Sequence, residues 1–173
     1  MKRLIFLSLV MIITSYIATA QTNNFYADNG NIYWQKIYES EADLVALLTN
    51  TGRFEQIKDI NGIISAQMIP CEVELNGRSR GMTPMYLLSS NITCFVRIQQ
   101  KEGRYRVTAD SFVFIQNMNT SLSQMGETTS LETYALKRDG TFKPAFFNSD
   151  SAAILDEMLS ALFTEQNRLS DDW

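Results

Sequence analysis

The sequence predicts an α+β fold: a curved antiparallel sheet with two helices on one face. Three observations point there. Asn61-Gly62 and Glu102-Gly103 each sit between β-prone runs and read as tight hairpin turns. The strand runs after residue 54 follow one another without the helical crossovers that parallel strands need. Helical spacing occurs in only two places, after Ser40 and near the C-terminus, and each apolar stripe needs a sheet face to cover it.

Taken in order, residues 1–20 read as a secretory signal. Lys2 and Arg3 give a basic start, an apolar run follows, and Ala18-Thr19-Ala20 offers a small-residue cleavage site before Gln21. The apolar run is too short for a permanent membrane span. Residues 21–31 form a polar, flexible N-terminal arm, and residues 32–173 a single domain. Residues 32–38 (IYWQKIY) are aromatic and β-prone, the first strand. Ser40-Glu41-Ala42-Asp43 reads as a capping box with Ser40 as cap, and Leu44, Leu47, Leu48 and Thr51 follow at helical spacing to Gly52.

Residues 54–60 and 63–75 form the next hairpin, with Ile69, Cys71, Val73 and Leu75 on one face and Glu72, Glu74 and Asn76 on the other. Residues 92–100 and 104–115 pair around Glu102-Gly103. Counting from that turn sets Ile98 against Val107, Val96 against Ala109 and Cys94 against Ser111; Thr93, Phe95, Arg97 and Gln99 then share the opposite face with Arg106, Thr108, Asp110, Phe112 and Phe114. Residues 117–130 are a polar loop, 131–136 a short last strand before Asp139-Gly140, and 150–168 an amphipathic helix built on Ile154, Leu155, Met158, Leu159, Leu162 and Phe163. The element order is β-α-β-β-β-β-(β)-α.

Composition narrows the function. The chain has 173 residues, a net charge of −4 and no histidine. Without Lys2 and Arg3 the 15 basic residues become 13 against 19 acidic, a balance of −6 for residues 21–173. A negative field of that kind repels nucleic acid and anionic membranes. The missing histidine removes the commonest general base and the commonest metal ligand. No metal or cofactor motif is present.

This order of elements, with IYWQKIYES at the start, KEGRYRV at the hairpin and a final helix ending in DDW, resembles a secreted bacterial domain-of-unknown-function family with a TATA-box-binding-protein-like (TBP-like) fold. The resemblance covers roughly residues 32–173 and implies that fold. It brings no activity and no functional residues. The fold name does not license DNA binding, because function lives in sites rather than folds.

Five features are candidates for sites. Cys71 and Cys94, symmetric about residues 82–83, form either a disulfide worth about 3 kcal/mol in the chain-entropy model or two buried free thiols. Phe95, Phe112 and Phe114 form either an exposed aromatic surface or one covered by the chain's own loops. Residues 76–91, with Met82, Met85 and Tyr86, either contact a partner or fold back to seal the sheet. Arg97, Lys101, Arg104 and Arg106 form either an anion patch or a solvated hairpin with Glu102, Asp110, Glu72 and Glu74 as partners. Trp173 either packs back onto the domain or ends the chain without contact.

The expectation is therefore an exported, periplasmic or secreted binding or protein-interaction module of the cell envelope. It has no catalytic constellation, no cofactor and no nucleic-acid partner. Two other classes stay open. One is a histidine-free hydrolase using carboxylates or a Ser-Lys pair converging in one cleft. The other is a structural subunit of an envelope assembly.

Overall fold

A computed structural model describes residues 24–119 and 123–164. The expected signal, residues 165–168 of the expected last helix and Trp173 lie outside the described residues; within them that helix ends at Leu162, with Phe163 as its C-cap. Eight strands form one antiparallel sheet: β1 (Phe25–Asp28), β2 (Asn31–Tyr38), β3 (Phe54–Ile60), β4 (Ile63–Met68), β5 (Cys71–Glu72), β6 (Ser90–Lys101), β7 (Arg104–Gln116) and β8 (Thr128–Ser130). Their spatial order is β1-β2-β7-β6-β4-β3, with β5 added to β6 and β8 to β7. The longer helices are α1 (Leu44–Thr51) and α5 (Ser151–Leu162); α2 (Met85–Leu88), α3 (Leu131–Ala135) and α4 (Pro144–Asn148) are single turns or little more.

Alternation along the strands decides which face is covered. Ile32 and Trp34 on β2, Ile64, Ala66 and Met68 on β4, Ile92, Cys94, Val96 and Ile98 on β6, and Tyr105, Val107 and Ala109 on β7 are buried in one core with the apolar stripes of α1 and α5. Helix α5 is also keyed polar group by polar group. Trp34 Nε1 donates to Asp156 Oδ1 at 2.6 Å, the Tyr38 hydroxyl to the Ser160 carbonyl at 3.3 Å, and the Tyr105 hydroxyl to the Phe163 carbonyl at 2.6 Å. Each satisfies a polar group that burial would otherwise strand.

Several elements differ from the sequence expectation, each for a local reason. The expected arm contains β1, which pairs with β2 around Asn29-Gly30. Positive φ at both residues (49° and 78°) matches a type I′ hairpin turn. The cap of α1 is Asp43, whose carboxylate accepts the Ala46 N–H at 3.0 Å. Ser40 instead closes a small turn by accepting from Ala42 N. The expected strand 63–75 breaks at Ile69-Pro70, where proline cannot donate to the ladder. Residues 131–136 are not a strand: β8 precedes them and α3 buries Leu131 and Ala135 four residues apart. The Asp139-Gly140 turn is present, with Leu136 bridged to Phe142 across it.

The largest difference lies in β7. Phe95 faces Asp110 and Thr93 faces Val113, so Ser111 and Phe112 together oppose Cys94. Two residues against one is a β-bulge, and Ser111 carries its left-handed backbone at φ 56°. The bulge moves Phe112 and Phe114 onto the covered face, where both are fully buried. The assignment of these two rings to the face of Phe95 is thereby corrected.

Candidate functional site

Among the described residues, the sheet face opposite α1 and α5 carries side chains that are not buried. Strand register places its side chains in rows running from β2 through β7 and β6 to β4 and β3. One row reads Gln35, Thr108, Arg97, Ser65, Lys58. Toward the hairpin tips the next reads Ile37, Arg106, Gln99, Ile63, Ile60. On the other side lie Asp110, Phe95, Gln67 and Glu55, flanked by the paired Tyr33 and Tyr26. None of these side chains is buried.

Polar contacts within the face hold it in shape. The Gln35 amide donates to Thr108 Oγ1 at 3.2 Å, and the Gln67 amide to Thr93 Oγ1 at 2.8 Å and to the Cys94 carbonyl at 3.1 Å. Arg97 is paired with Asp110, and Arg106 donates to Gln99. Tyr26 and Tyr33 stack at 5.2 Å between centroids. This is a hydrogen-bonding surface that also presents aromatic rings.

The residues singled out in the sequence separate onto different parts of the molecule. Phe95 is on the open face. Arg97, Lys101, Arg104 and Arg106 project from the same face near the β6–β7 turn, Lys101 opposite Arg104. Tyr86 packs edge-on against Phe114 and stacks on Tyr134 at 4.2 Å, on the helix-bearing side. Burial pushes its hydroxyl up to about 12, against the lowering effect of a hydrogen bond with Ser151. Leu87 beside it is buried, while Met82 and Met85 remain exposed. The same segment is clamped to α5 by a two-pronged Arg78–Glu157 pair, which holds the Glu157 carboxyl below the usual carboxylate range.

The two thiols are free. Cys71 pairs with Ile92 rather than with Cys94, so the cysteines are diagonal neighbours two positions out of register. Diagonal positions lie about 7–8 Å apart, beyond ordinary disulfide reach. Of the two readings of this pair, free thiols are what the geometry has, Cys94 buried and Cys71 half-buried. Burial pushes the Cys94 thiol far up and the Cys71 thiol up more modestly, the latter opposed by Arg53. Neither is set up as a thiolate nucleophile.

Two arrangements bear on hydrolysis. Lys36 Nζ donates to Ser160 Oγ at 2.7 Å, tying β2 to α5. Neither residue lines the four cavities formed among the described residues beside Cys71, the β6–β7 turn, Gly140 and Leu87. Glu72 and Glu74 do share the rim of a cavity of about 270 Å³ with Cys71, Arg53 and Met158. Glu74 lies 3.9 Å from Arg53, and both side chains are largely in water, so the carboxylates are not sequestered for acid–base work. Among the described residues no group of three or more acidic or cysteine side chains is placed to hold a metal, and no helix is long and apolar enough to cross a membrane.

The fold has likenesses among solved structures. A TBP-like protein from Parabacteroides distasonis ATCC 8503 aligns with a TM-score of 0.47 at 14% identity, over 79% of this chain and 92% of that one. A DUF4468 family protein from Bacteroides ovatus ATCC 8483 aligns with a TM-score of 0.47 at 13% identity, over 90% of this chain and 98% of that one. No family model matches the chain, and no curated protein does.

Local spacing placed Thr108 beside Arg97, but not the row structure of the whole open face, nor the place of Tyr26, Tyr33, Gln35 and Gln67 within it. The buried positions of β7 run 105, 107 and 109, then 112 and 114, a slip that the continuous apolar run from Phe112 to Ile115 hides in the sequence.

Proposed function

We propose that this chain is a non-enzymatic binding module of the cell envelope, and that it engages its partner through the open sheet face. The observation that carries this is the register that sets Tyr33, Gln35, Thr108, Arg97, Phe95 and Gln67 side by side with none of them buried. Antiparallel sheets commonly leave one face to solvent. Here that face offers donors, acceptors and aromatic planes together, the mixture that protein interfaces use. The basic start, apolar run and cleavage site of residues 1–20 support a place outside the cytoplasm.

Capture from an envelope fraction of the source cells tests the reading. The folded protein, an open-face pair of variants (F95A and R97E) and a helix-side variant (M82S/M85S) serve as baits. The expected outcome is a partner held by the parent and by M82S/M85S but lost by the open-face variants. Loss by the methionine variant alone would overturn it.

A further inference from the structure

We infer that the hairpin-tip end of the open face docks an acidic, aliphatic-bearing segment of a partner protein; this rests on the open face being the binding surface. Ile37, Arg106, Gln99, Ile63 and Ile60 lie in one row across β2, β7, β6, β4 and β3, with Arg104 and Lys101 paired just beyond it. The three isoleucines at the ends of this row are 55%, 40% and 60% exposed for Ile37, Ile63 and Ile60. Single exposed aliphatics are ordinary, but here they bracket cations in one line. A depression of about 370 Å³ lies at the Ile37, Arg106 and Gln99 end of the row, and Gln100, Lys101, Arg104 and Tyr105 complete its lining.

Among the described residues, the cations in and just beyond this row have no ion-pair partner. Arg97, one row in, is already paired with Asp110, and Arg106 is bonded only to the neutral amide of Gln99. Among the described residues no ion pair engages Lys101, Arg104 or Arg106. These cations stand on a chain of net charge −4, so the row is a local positive site on an acidic protein. Such a site steers and orients an acidic partner.

Geometry selects the kind of anion. From Ile37 to Ile63 is three strand spacings, about 14 Å. That is the reach of about four or five extended residues, longer than a single phosphate or carboxylate. A bilayer approaching the tips end-on would also meet Glu39, Asp59 and Glu102, with Glu41 lying against the Gly103 turn. A peptide lying across the face avoids those acids, places carboxylates on Lys101, Arg104 and Arg106, and covers Ile37 and Ile63.

The test uses a labelled decapeptide carrying four glutamates and two leucines, with binding read by fluorescence anisotropy. Its glutamine counterpart, inorganic phosphate and phosphatidylglycerol vesicles are the comparison arms. The acidic peptide is expected to bind, to weaken as salt is raised, and to lose on the order of tenfold in affinity with K101E/R104E. Both substitutions are at exposed positions, and an unchanged melting temperature checks the fold. Equal binding of the glutamate and glutamine peptides, or unchanged binding by K101E/R104E, overturns the inference. So does full competition by phosphate at matched charge, or vesicle binding without peptide binding.

The envelope capture separates the two levels. A partner lost by F95A but kept by K101E/R104E defeats this site and leaves the open-face reading standing. A partner kept by both defeats the open face itself.

Discussion

The covered and open faces of the sheet are made from the same strands, one residue apart, yet they differ in what each side chain has to satisfy. On the covered face Trp34, Tyr105, Phe112 and Phe114 are fully buried, and the polar tips of Trp34 and Tyr105 find partners on or just after α5. On the open face Gln35, Thr108, Arg97 and Asp110 bond to one another and remain in contact with water. Burial makes the first face costly to alter. Contact with water makes the second cheaper to alter.

The sharpest way to break this contrast is to shorten matched phenylalanines on the two faces. Phe112→Ala should lose about 3–5 kcal/mol, the usual result of emptying an aromatic core site. Phe95→Ala, at a partly buried position, should lose about 1 kcal/mol. Urea unfolding of the two variants measures the difference, and similar losses would show that the bulge does not separate the rings as described.

Next comes the key between the sheet and α5. Trp34→Phe removes a donor from Asp156, which retains the Asn24 amide at 2.7 Å. A loss of about 1–3 kcal/mol is expected from the same unfolding measurement.

Smaller still is the open-face pair Arg97–Asp110. A double-mutant cycle to alanine should give a coupling of about 0.2–1 kcal/mol that shrinks in high salt. A larger, salt-insensitive coupling would mean that this face is less open than its exposure indicates.

Smallest is the Arg78–Glu157 clamp at the surface. The folded carboxyl of Glu157 titrates below its ordinary range because of Arg78, so its contribution is present above the unfolded pKa and is lost as pH falls through the depressed value. Glu157→Gln should cost a few tenths of a kcal/mol near neutral pH. The gap between variant and parent should close in strong acid, as read by thermal melts across pH.

Some of this was legible residue by residue. Asn61-Gly62 and Glu102-Gly103 turn where their side-chain chemistry places them, with positive φ at all four residues. Gly52 ends α1 in the left-handed conformation, and the stripe from Ile154 to Leu159 is buried as its spacing requires. Asn29-Gly30 carried the same turn signal, obscured by the polar residues around it. The anion-patch residues were named together and do lie together, because all four sit near a single hairpin turn whose register is local. The aromatic surface was not recovered as a unit. Phe95 and Phe112 are on different faces, and Tyr33 belongs to a strand far away in sequence.

Local chemistry determined the turns, the helix stripe and the antiparallel character of the fold, because these depend on backbone preferences and on spacing within a few residues. Tertiary packing decided where alternation slips and which strands meet in which register. The unfavourable backbone at Ser111 is held because it lets Phe112 and Phe114 pack with Phe25 and Tyr86, residues distant in the chain. Likewise Cys71 meets Ile92 after the break at Pro70, two positions from where symmetry of spacing would set it. A sequence states the period of a strand; the contacts across the fold decide its phase.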